Sequence, residues 1–130
     1  MNLLLDTHTF IWWSCNPEKL PSNLLSLLKN PGNTLFLSTA STWEVQIKIG
    51  IGKLSFTEDW EKIVTREIKN NFIKIIPITL AHTFTLKKLP PIHKDPFDRM
   101  LIAQVLTENF TIATNDSFIK QYPDIQTIWK

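Results

Sequence analysis

The sequence predicts an α/β protein built on a parallel sheet with helices on both of its faces. Five short apolar segments alternate with longer amphipathic ones, an order typical of strands joined by crossover helices. The short segments are mostly apolar on both faces, as the strands of a buried parallel sheet are. The length of 130 residues predicts a single domain, residues 1–130, that is large enough to bury its own core.

The predicted strands are bounded by polar or turn-forming residues. They are Leu3–Leu5, Thr34–Ser38, Phe72–Ile78, Thr111–Thr114 and Ile125–Trp129. The first stops at Asp6 and the fourth at Asn115 and Asp116, while Pro77 interrupts the third. Segments this short, with such boundaries, favour strands over helices.

The segments between the strands carry helical patterns. The predicted helices are Trp43–Ile51, Glu58–Asn70, Thr79–Leu89, Asp95–Glu108 and a short one at Ser117–Gln121. The helix from 95 to 108 is the best marked, because Asp95 can cap it and Pro96 suits its first position. Its Phe97, Leu101 and Val105 form an apolar row that a core can cover.

Five tryptophans are many for a chain of this length. Four of them fall in helical segments beside other apolar residues: Trp12, Trp13, Trp43 and Trp60. Trp43, Ile47 and Ile51 recur every four residues along one of these helices. We therefore expect the tryptophans in the core or at an interface, and not as platforms for base stacking. Partial exposure of the Trp12–Trp13 helix would make it part of a dimer or partner surface.

Composition excludes several classes of protein. The single cysteine, Cys15, excludes an intramolecular disulfide and the cysteine-rich zinc sites. The three histidines lack paired ligand spacing, and three glycines are too few for a phosphate-binding or dinucleotide-binding loop. No apolar run approaches the roughly 20 residues of a membrane span. No signal peptide precedes the first strand, so we expect a cytoplasmic protein without membrane contact.

Four acidic residues stand where a parallel sheet gathers its functional groups. Asp6 and Asp116 directly follow the first and fourth strands, Glu44 follows the second, and Asp98 lies in the first turn of the last long helix. Ligands of open parallel sheets bind outside the carboxyl ends of the strands. Ordinary structural roles are also open to each acid: helix caps for both strand-end aspartates, a pair with Lys48 for Glu44, and a helix-dipole contact for Asp98.

Together the four acids favour a metal site. Carboxylates that converge repel one another unless one is protonated or a cation lies between them. Mg²⁺ and Mn²⁺ prefer oxygen ligands, and the lack of a Cys or His cluster argues against zinc. Such an ion can polarise a phosphoryl oxygen and supply a hydroxide nucleophile. The sequence thus predicts Mg²⁺, or Mn²⁺, at this edge of the sheet.

Four blocks of sequence, taken in order, resemble a known family over nearly the whole chain. They are NLLLDTHTFIWW at 2–13, LSTASTWEVQIKIGIGKL at 37–54, LPPIHKDPFDRMLIAQ at 89–104 and TIATNDSFIKQYP at 111–123. Each block alone is a weak signal, but all four at these spacings resemble a PIN-domain ribonuclease of the VapC type. Proteins of that type are the toxins of type II toxin–antitoxin systems.

The resemblance implies a three-layer α/β/α fold around a five-stranded parallel sheet of order 3-2-1-4-5. It implies a Mg²⁺- or Mn²⁺-dependent endoribonuclease, often a homodimer, whose cognate antitoxin blocks the active-site groove. The acids it assigns to catalysis and metal binding are Asp6, Glu44, Asp98 and Asp116. Thr114 matches a hydroxyl residue that supports the last acid, whereas Asp95 fits a helix cap better than a ligand. In the expected mechanism Glu44 orients the water that attacks the RNA phosphate.

Basic residues near these acids are candidates for contacts with RNA phosphates. The candidates are Lys48, Lys53, Lys94 and Arg99, with His93, Lys87 and Lys88 in the same region as Asp98. An ordinary solvated surface is an equally good interpretation of these residues. His8, two residues after Asp6, fits a structural role better than a place at the rim of the site.

The net charge of +2 does not contradict an RNA substrate. Fourteen Lys and Arg face twelve Asp and Glu, a balance that excludes a strongly basic nucleic-acid binder. Without the four proposed metal-binding acids, eight acidic residues face the same fourteen basic ones. The balance is therefore compatible with an acidic pocket inside a moderately basic surround.

Two other functions would also use an acidic pocket. A Mg²⁺-dependent phosphatase of the haloacid-dehalogenase type needs Asp-x-Asp after the first strand, where this chain has Asp6, Thr7 and His8. A non-enzymatic binding module of the receiver type needs an acceptor Asp after a central strand. The third strand ends instead in Pro77-Ile78-Thr79, so the residues count against both alternatives.

Overall fold

Five strands form one sheet in the computed structural model, which describes residues 1–130. They are β1 (Asn2–Leu5), β2 (Thr34–Ser38), β3 (Lys74–Ile76), β4 (Thr111–Ala113) and β5 (Gln126–Ile128). All neighbouring strands run parallel, in the order β3-β2-β1-β4-β5. The α/β fold class and the strand order implied by the resemblance are therefore confirmed.

Six α-helices connect the strands. They are α1 (Thr7–Cys15), α2 (Ser22–Lys29), α3 (Thr39–Gly50), α4 (Trp60–Asn71), α5 (Leu80–Thr85) and α6 (Pro96–Glu108). Single turns of 3-10 helix lie at Pro17–Lys19, Leu86–Lys88 and Ile119–Gln121. The longest helix, α6, has 13 residues, and no helix combines the length and apolar content that crossing a bilayer requires.

Some predicted helices differ from the observed ones. Helix α2, whose Leu24 and Leu28 are buried, was not predicted, because eight residues give too few turns for a clear periodic pattern. The segment predicted as one helix over 79–89 divides into α5 and a 3-10 turn. The short helix predicted at 117–121 is only a 3-10 turn, because the segment after β4 first bends around Asp116.

The sheet separates two hydrophobic cores. Successive side chains of a strand point to opposite faces, so Leu3 and Leu5 enter one core and Leu4 the other. Helices α1, α2 and α4 cover the first core, and α6 covers the second with Leu101 and Ile102. This arrangement is the expected three-layer architecture.

The two edge strands are less buried than the apolar patterns predicted. Lys74 and Ile75 are exposed in β3, as are Gln126 and Thr127 in β5, because each edge strand has one neighbour only. β3 is also shorter than predicted. Phe72 adopts a left-handed backbone with φ of 55° at the end of α4, and the strand ends before Pro77.

Helix α3 turns its apolar row to solvent, so Trp43 lies outside the core, and of the two places expected for it an interface remains. Trp43, Ile47 and Ile51 are 58%, 39% and 61% exposed. The buried face of α3 contains Ala40 and Val45 together with Ser41 and Glu44. Of the other helical tryptophans, Trp60 is buried, and Trp12 and Trp13 are half-buried against the first core.

Candidate active site

The strand register brings three polar residues to one edge of the sheet. Leu5 pairs with Leu37 on one side and with Ala113 on the other. The residues that follow these three are Asp6, Ser38 and Thr114, and all three are buried. The carboxyl ends of the central strands therefore supply the floor of a polar site.

Asp6 forms the first part of this site and also caps α1. One carboxylate oxygen accepts a hydrogen bond from the backbone N–H of Thr9 at 2.8 Å, and the other accepts one from the Thr114 hydroxyl. Burial raises the pKa of Asp6, while the donors from Thr114 and Thr9 act in the opposite direction.

Thr114 connects Asp6 with Asp116. Its hydroxyl donates to Asp6 and accepts a hydrogen bond from the backbone N–H of Asp116 at 3.0 Å. Asp116 Oδ1 accepts from the N–H groups of Phe118 and Ile119 at 2.8 and 2.9 Å. The capping role considered from the sequence is present, and it leaves Oδ2 free, 3.7 Å from His93 Nε2 in the cluster with Asp98.

Glu44 is buried on α3 with both carboxylate oxygens engaged. Oε1 accepts from the Thr7 hydroxyl at 2.9 Å, and Oε2 lies 2.8 Å from Lys48 Nζ. The hydrogen bond to Glu44 raises the pKa of Lys48, opposed by burial and aided by the charges of Glu44, Asp95 and Asp98. The i, i+4 pair considered from the sequence is present, and it ties the Lys48 ammonium to the acids.

Asp98 is the acid whose pKa is affected by both burial and the other carboxylates. It projects from the first turn of α6, which Asp95 caps by accepting from Phe97 N at 2.8 Å and Asp98 N at 3.2 Å. Burial, followed by repulsion from Asp95, Glu44, Asp116 and Asp6, raises the pKa of Asp98 to about 8. The Asp98 carboxyl is therefore close enough to four other acids for their charges to act on it, and a cation between them would offset this repulsion.

His93 belongs to the cluster, although the sequence pointed only to a surface phosphate contact. Its Nε2 lies 2.9 Å from Asp98 Oδ2 and 3.7 Å from Asp116 Oδ2, without the alignment of a good hydrogen bond to either. Nδ1 accepts from the backbone N–H of Asp95 at 3.3 Å, which leaves the ring proton on Nε2. The ligand atoms of His93, Asp98 and Asp116 all lie within 4.8 Å of one another.

Arg99, a candidate for RNA contacts, makes contacts within the protein. Its guanidinium donates to the carbonyl of Pro90 at 2.9 Å, to the Tyr122 hydroxyl at 3.2 Å and to the carbonyl of Leu86 at 3.4 Å. The Tyr122 hydroxyl also accepts from the backbone N–H of His93 at 2.8 Å. Arg99 and Tyr122 therefore hold the segment that aims His93 at the acids.

The remaining candidates lie at the surface. Lys53 and Lys94 are exposed and free to contact solvent or an anionic ligand. His8 is also exposed, at the rim of a cleft beside Asp6 and next to the Trp12 ring. The reason is that His8 lies on the outer side of the first turn of α1, whose Thr7 and Thr9 point inward.

A PIN domain family model matches residues 3–125. The chain belongs to the PIN-domain family. This membership confirms the resemblance that the four sequence blocks carry.

Individual relatives agree with this assignment. The PIN-domain chain is 24% identical over 136 residues to Ribonuclease VapC22 of Mycobacterium tuberculosis, covering 98% of each chain. Its fold is similar to that of VapBC2 from Rickettsia felis bound to a promoter DNA fragment, with a TM-score of 0.77, 21% identity and full coverage of both chains. It is also similar to DNA-bound VapBC from Salmonella typhimurium, with a TM-score of 0.71, 15% identity and coverage of 98% and 97%.

The donor set of this PIN domain fits a hard divalent cation. Asp6, Asp98 and Asp116 offer carboxylate oxygens, the ligands that Mg²⁺ and Mn²⁺ prefer. The tautomer of His93 places an N–H, and not a lone pair, toward the acids, although this N–H is not aligned for a hydrogen bond to either carboxylate. Burial and the neighbouring acids both raise the pKa of Asp98, and a bound cation would offset both effects.

Proposed function

We propose that this PIN-domain protein is a Mg²⁺- or Mn²⁺-dependent endoribonuclease and the toxin of a VapBC-type toxin–antitoxin pair. The observation that carries the proposal is the convergence of the acids around Asp98 at the carboxyl edge of the sheet. The names of the similar proteins support it, since one is a ribonuclease and others are VapBC complexes. A cytoplasmic location belongs to the same proposal.

The proposed site divides its work among the acids. Asp6, Asp98 and Asp116 would hold the cation, directly or through water. Glu44 adds negative charge and can orient a water molecule, although its direct contacts are to Thr7 and Lys48. Thr114 fixes Asp6 and Asp116 relative to each other. When bound, a divalent cation polarises the phosphoryl oxygen and lowers the pKa of a coordinated water.

His93 and Lys48 place positive or hydrogen-bonding groups beside the acids. The Nε2–H of His93 lies between Asp98 and Asp116, where it limits the positions that their oxygens can take. Lys48 is fixed by Glu44 and can face an RNA phosphate at the rim of the site. Lys94 and Lys53, both exposed, would extend this contact along the RNA backbone.

The direct test is a cleavage assay on total RNA with mapped cleavage sites. We expect cleavage with Mg²⁺ or Mn²⁺, none with EDTA, and a loss of at least two orders of magnitude in Asp98→Asn. Asp59→Asn is the matched control, because Asp59 is exposed and its side chain makes no capping hydrogen bond.

Two outcomes would contradict the nuclease proposal. Full metal-dependent activity in Asp98→Asn would remove Asp98 from the site. Hydrolysis of small phosphomonoesters without RNA cleavage would favour the phosphatase alternative, and inactivity with every divalent ion combined with tight partner binding would favour the binding module.

An antitoxin partner is part of the proposal, and α3 offers it a surface. Trp43, Ile47 and Ile51 form an exposed apolar row on the helix that carries Glu44. Trp43 also packs edge-on against Phe97, next to Asp98, with ring centroids 5.1 Å apart. A partner that covers this row would lie beside the acids, where it could block RNA from the site.

A homodimer is proposed as well. Leu80 and Phe84 on α5 are exposed on a helix separate from α3, and an apolar pair of this kind suits a contact between two copies. The molar mass in solution tests this proposal. A monomer at every accessible concentration would contradict it.

A further inference from the structure

A cleft of about 310 Å³ opens beside the acidic site. Two of the proposed catalytic acids, Asp6 and Asp116, belong to its lining. The other lining residues are His8, Thr9, Trp12, Asn115 and Trp129. A cleft that shares two walls with the cluster of acids is adjacent to the place where the scissile phosphate would lie.

Three aromatic rings form the opposite side of this cleft. Trp12 and Trp129 meet edge to face, with centroids 5.9 Å apart and ring planes at 63°. His8 lies 6.1 Å from Trp12, and its plane is tilted by 54°. Both tryptophans are half-buried and His8 is exposed, so the three rings are partly open to a ligand.

The three aromatic rings come together only when the sheet has formed. His8 and Trp12 lie on α1, which follows β1 directly, whereas Trp129 directly follows β5. Both strands end at the same edge of the parallel sheet, so residues 117 positions apart in sequence share one cleft. Trp12 also packs against the first core, as expected, so its ring contributes both to that core and to the cleft.

We propose that this cleft, lined by His8, Trp12 and Trp129, binds a base of single-stranded RNA that flanks the cleaved phosphate. The proposal rests on the proposed ribonuclease function and adds a binding subsite to it. Aromatic side chains stack on every type of base, because each base has a π-face. The cleft would thus position the nucleotide next to the scissile bond.

Size and charge favour a base over other parts of the RNA. The cleft is at the small end of the range for small-molecule sites, roughly 300–1,000 Å³, which suits one planar group. Asp6 and Asp116 would repel a second phosphate placed in the cleft, whereas an uncharged base avoids that repulsion. Asn115 adds a polar group at the edge of the cleft.

Variants of His8 and Trp129 test the subsite. Because His8 is exposed, His8→Ala removes one ring at little risk to folding, and Trp129→Leu removes another. His8→Phe and Trp129→Phe keep an aromatic face in each place. Phe72→Leu is the control, since Phe72 is 81% exposed and precedes β3, at the opposite edge of the sheet.

The substrate probe is a short single-stranded RNA that spans the mapped cleavage site, with the base removed from one flanking nucleotide at a time. For the unchanged protein, we expect removal of the base at one of these positions to lower kcat/KM by roughly 5- to 100-fold. This is the loss that corresponds to one base no longer stacked on an aromatic ring. His8→Ala and Trp129→Leu should cleave the intact RNA more slowly and lose much of this discrimination. The Phe variants and Phe72→Leu should retain it.

The outcomes separate the subsite from the nuclease activity. If no abasic position matters, or if His8→Ala and Trp129→Leu discriminate as the unchanged protein does, the base subsite is wrong while the nuclease proposal stands. Weakened antitoxin binding with unchanged RNA kinetics would assign the cleft to the protein partner and also overturn the subsite. Absence of cleavage by the unchanged protein would overturn the proposed function, and the subsite with it.

Discussion

Asp98 shows how single residues acquire their properties from neighbours that are remote in sequence. Its helix-start position would by itself favour a charged carboxylate, because the N-terminal end of a helix attracts negative charge. Burial and four other acids outweigh this effect and raise its pKa to about 8. The side chain is therefore largely protonated near neutral pH unless a cation occupies the site.

Asp98 should make the metal-free protein less stable as the pH rises. The folded state retains a proton on Asp98 that the unfolded chain releases near pH 3.8, so the free energy of unfolding falls between that pH and about 8. Each unit of pKa difference corresponds to about 1.4 kcal/mol. We expect Asp98→Asn to flatten this slope, as measured by urea denaturation with EDTA at pH 5 and pH 8. If the free energy of unfolding of both proteins changed equally with pH, the raised pKa would not belong to Asp98.

Arg99 and Lys94 should differ in how they affect RNA binding. Arg99→Gln removes three contacts that hold the His93 segment, so we expect a loss of about 1–3 kcal/mol in the free energy of unfolding. Lys94→Gln should leave stability unchanged and lower the slope of log K against log salt by about 0.7, the value for one phosphate contact on a single strand. Measurements in the Asp98→Asn background avoid cleavage. A smaller salt slope for Arg99→Gln with unchanged stability would restore Arg99 as an RNA contact.

At the scale of elements, helix α3 performs two tasks on adjacent faces. Its inner face presents Glu44 to the site, held by Thr7 from α1. Its outer face exposes the apolar row from Trp43 to Ile51. Ile47 follows Glu44 by three residues, so the exposed row borders the face that carries Glu44.

The exposed row of α3 should matter for the antitoxin and not for catalysis. Ile51→Glu places a charge in the row, and we expect it to weaken antitoxin binding at least tenfold while RNA cleavage by the free toxin is unchanged. The binding partner in this experiment is the cognate antitoxin of the proposed pair. Phe72→Glu at the end of α4 is the matched control, because Phe72 is 81% exposed and belongs to neither proposed contact surface. Equal binding by the Ile51 variant and the unchanged protein would place the antitoxin elsewhere.

At the scale of the whole molecule, one sheet joins two cores and one edge of that sheet carries the acids. The repulsion among the acids opposes folding, whereas both cores favour it. The central strand β1 contributes to both cores and leads directly into Asp6. Binding of a divalent cation among the acids should consequently raise the free energy of unfolding.

Residues 1–130 should unfold in one cooperative transition whose midpoint rises with divalent cations. A single domain predicts coincident transitions by tryptophan fluorescence and circular dichroism. Mg²⁺ or Mn²⁺ at one hundred times its dissociation constant should add about 2.7 kcal/mol to the free energy of unfolding. Asp98→Asn should lose most of this gain. Two separated transitions would contradict the single domain, and a midpoint independent of the cation would contradict the metal site.

The sequence by itself determined those features that depend on near neighbours along the chain. The alternation of strands and helices, the Asp95 cap and the strand-end positions of Asp6 and Asp116 all follow from local patterns. The four blocks that resemble the PIN family added the strand order and named the acids. Such features are predictable because hydrophobic periodicity and capping act over a few residues.

Only the tertiary structure decided which faces are covered and which distant groups meet. Periodicity identified α3 as a helix but gave no information about whether its apolar row meets a core or solvent. His93 reaches Asp98 and Asp116, and Trp129 reaches Trp12, because separate strands end at one edge of the sheet. These contacts join residues far apart in the chain, so they arise from the packing of the sheet as a whole and have no signal in any local segment.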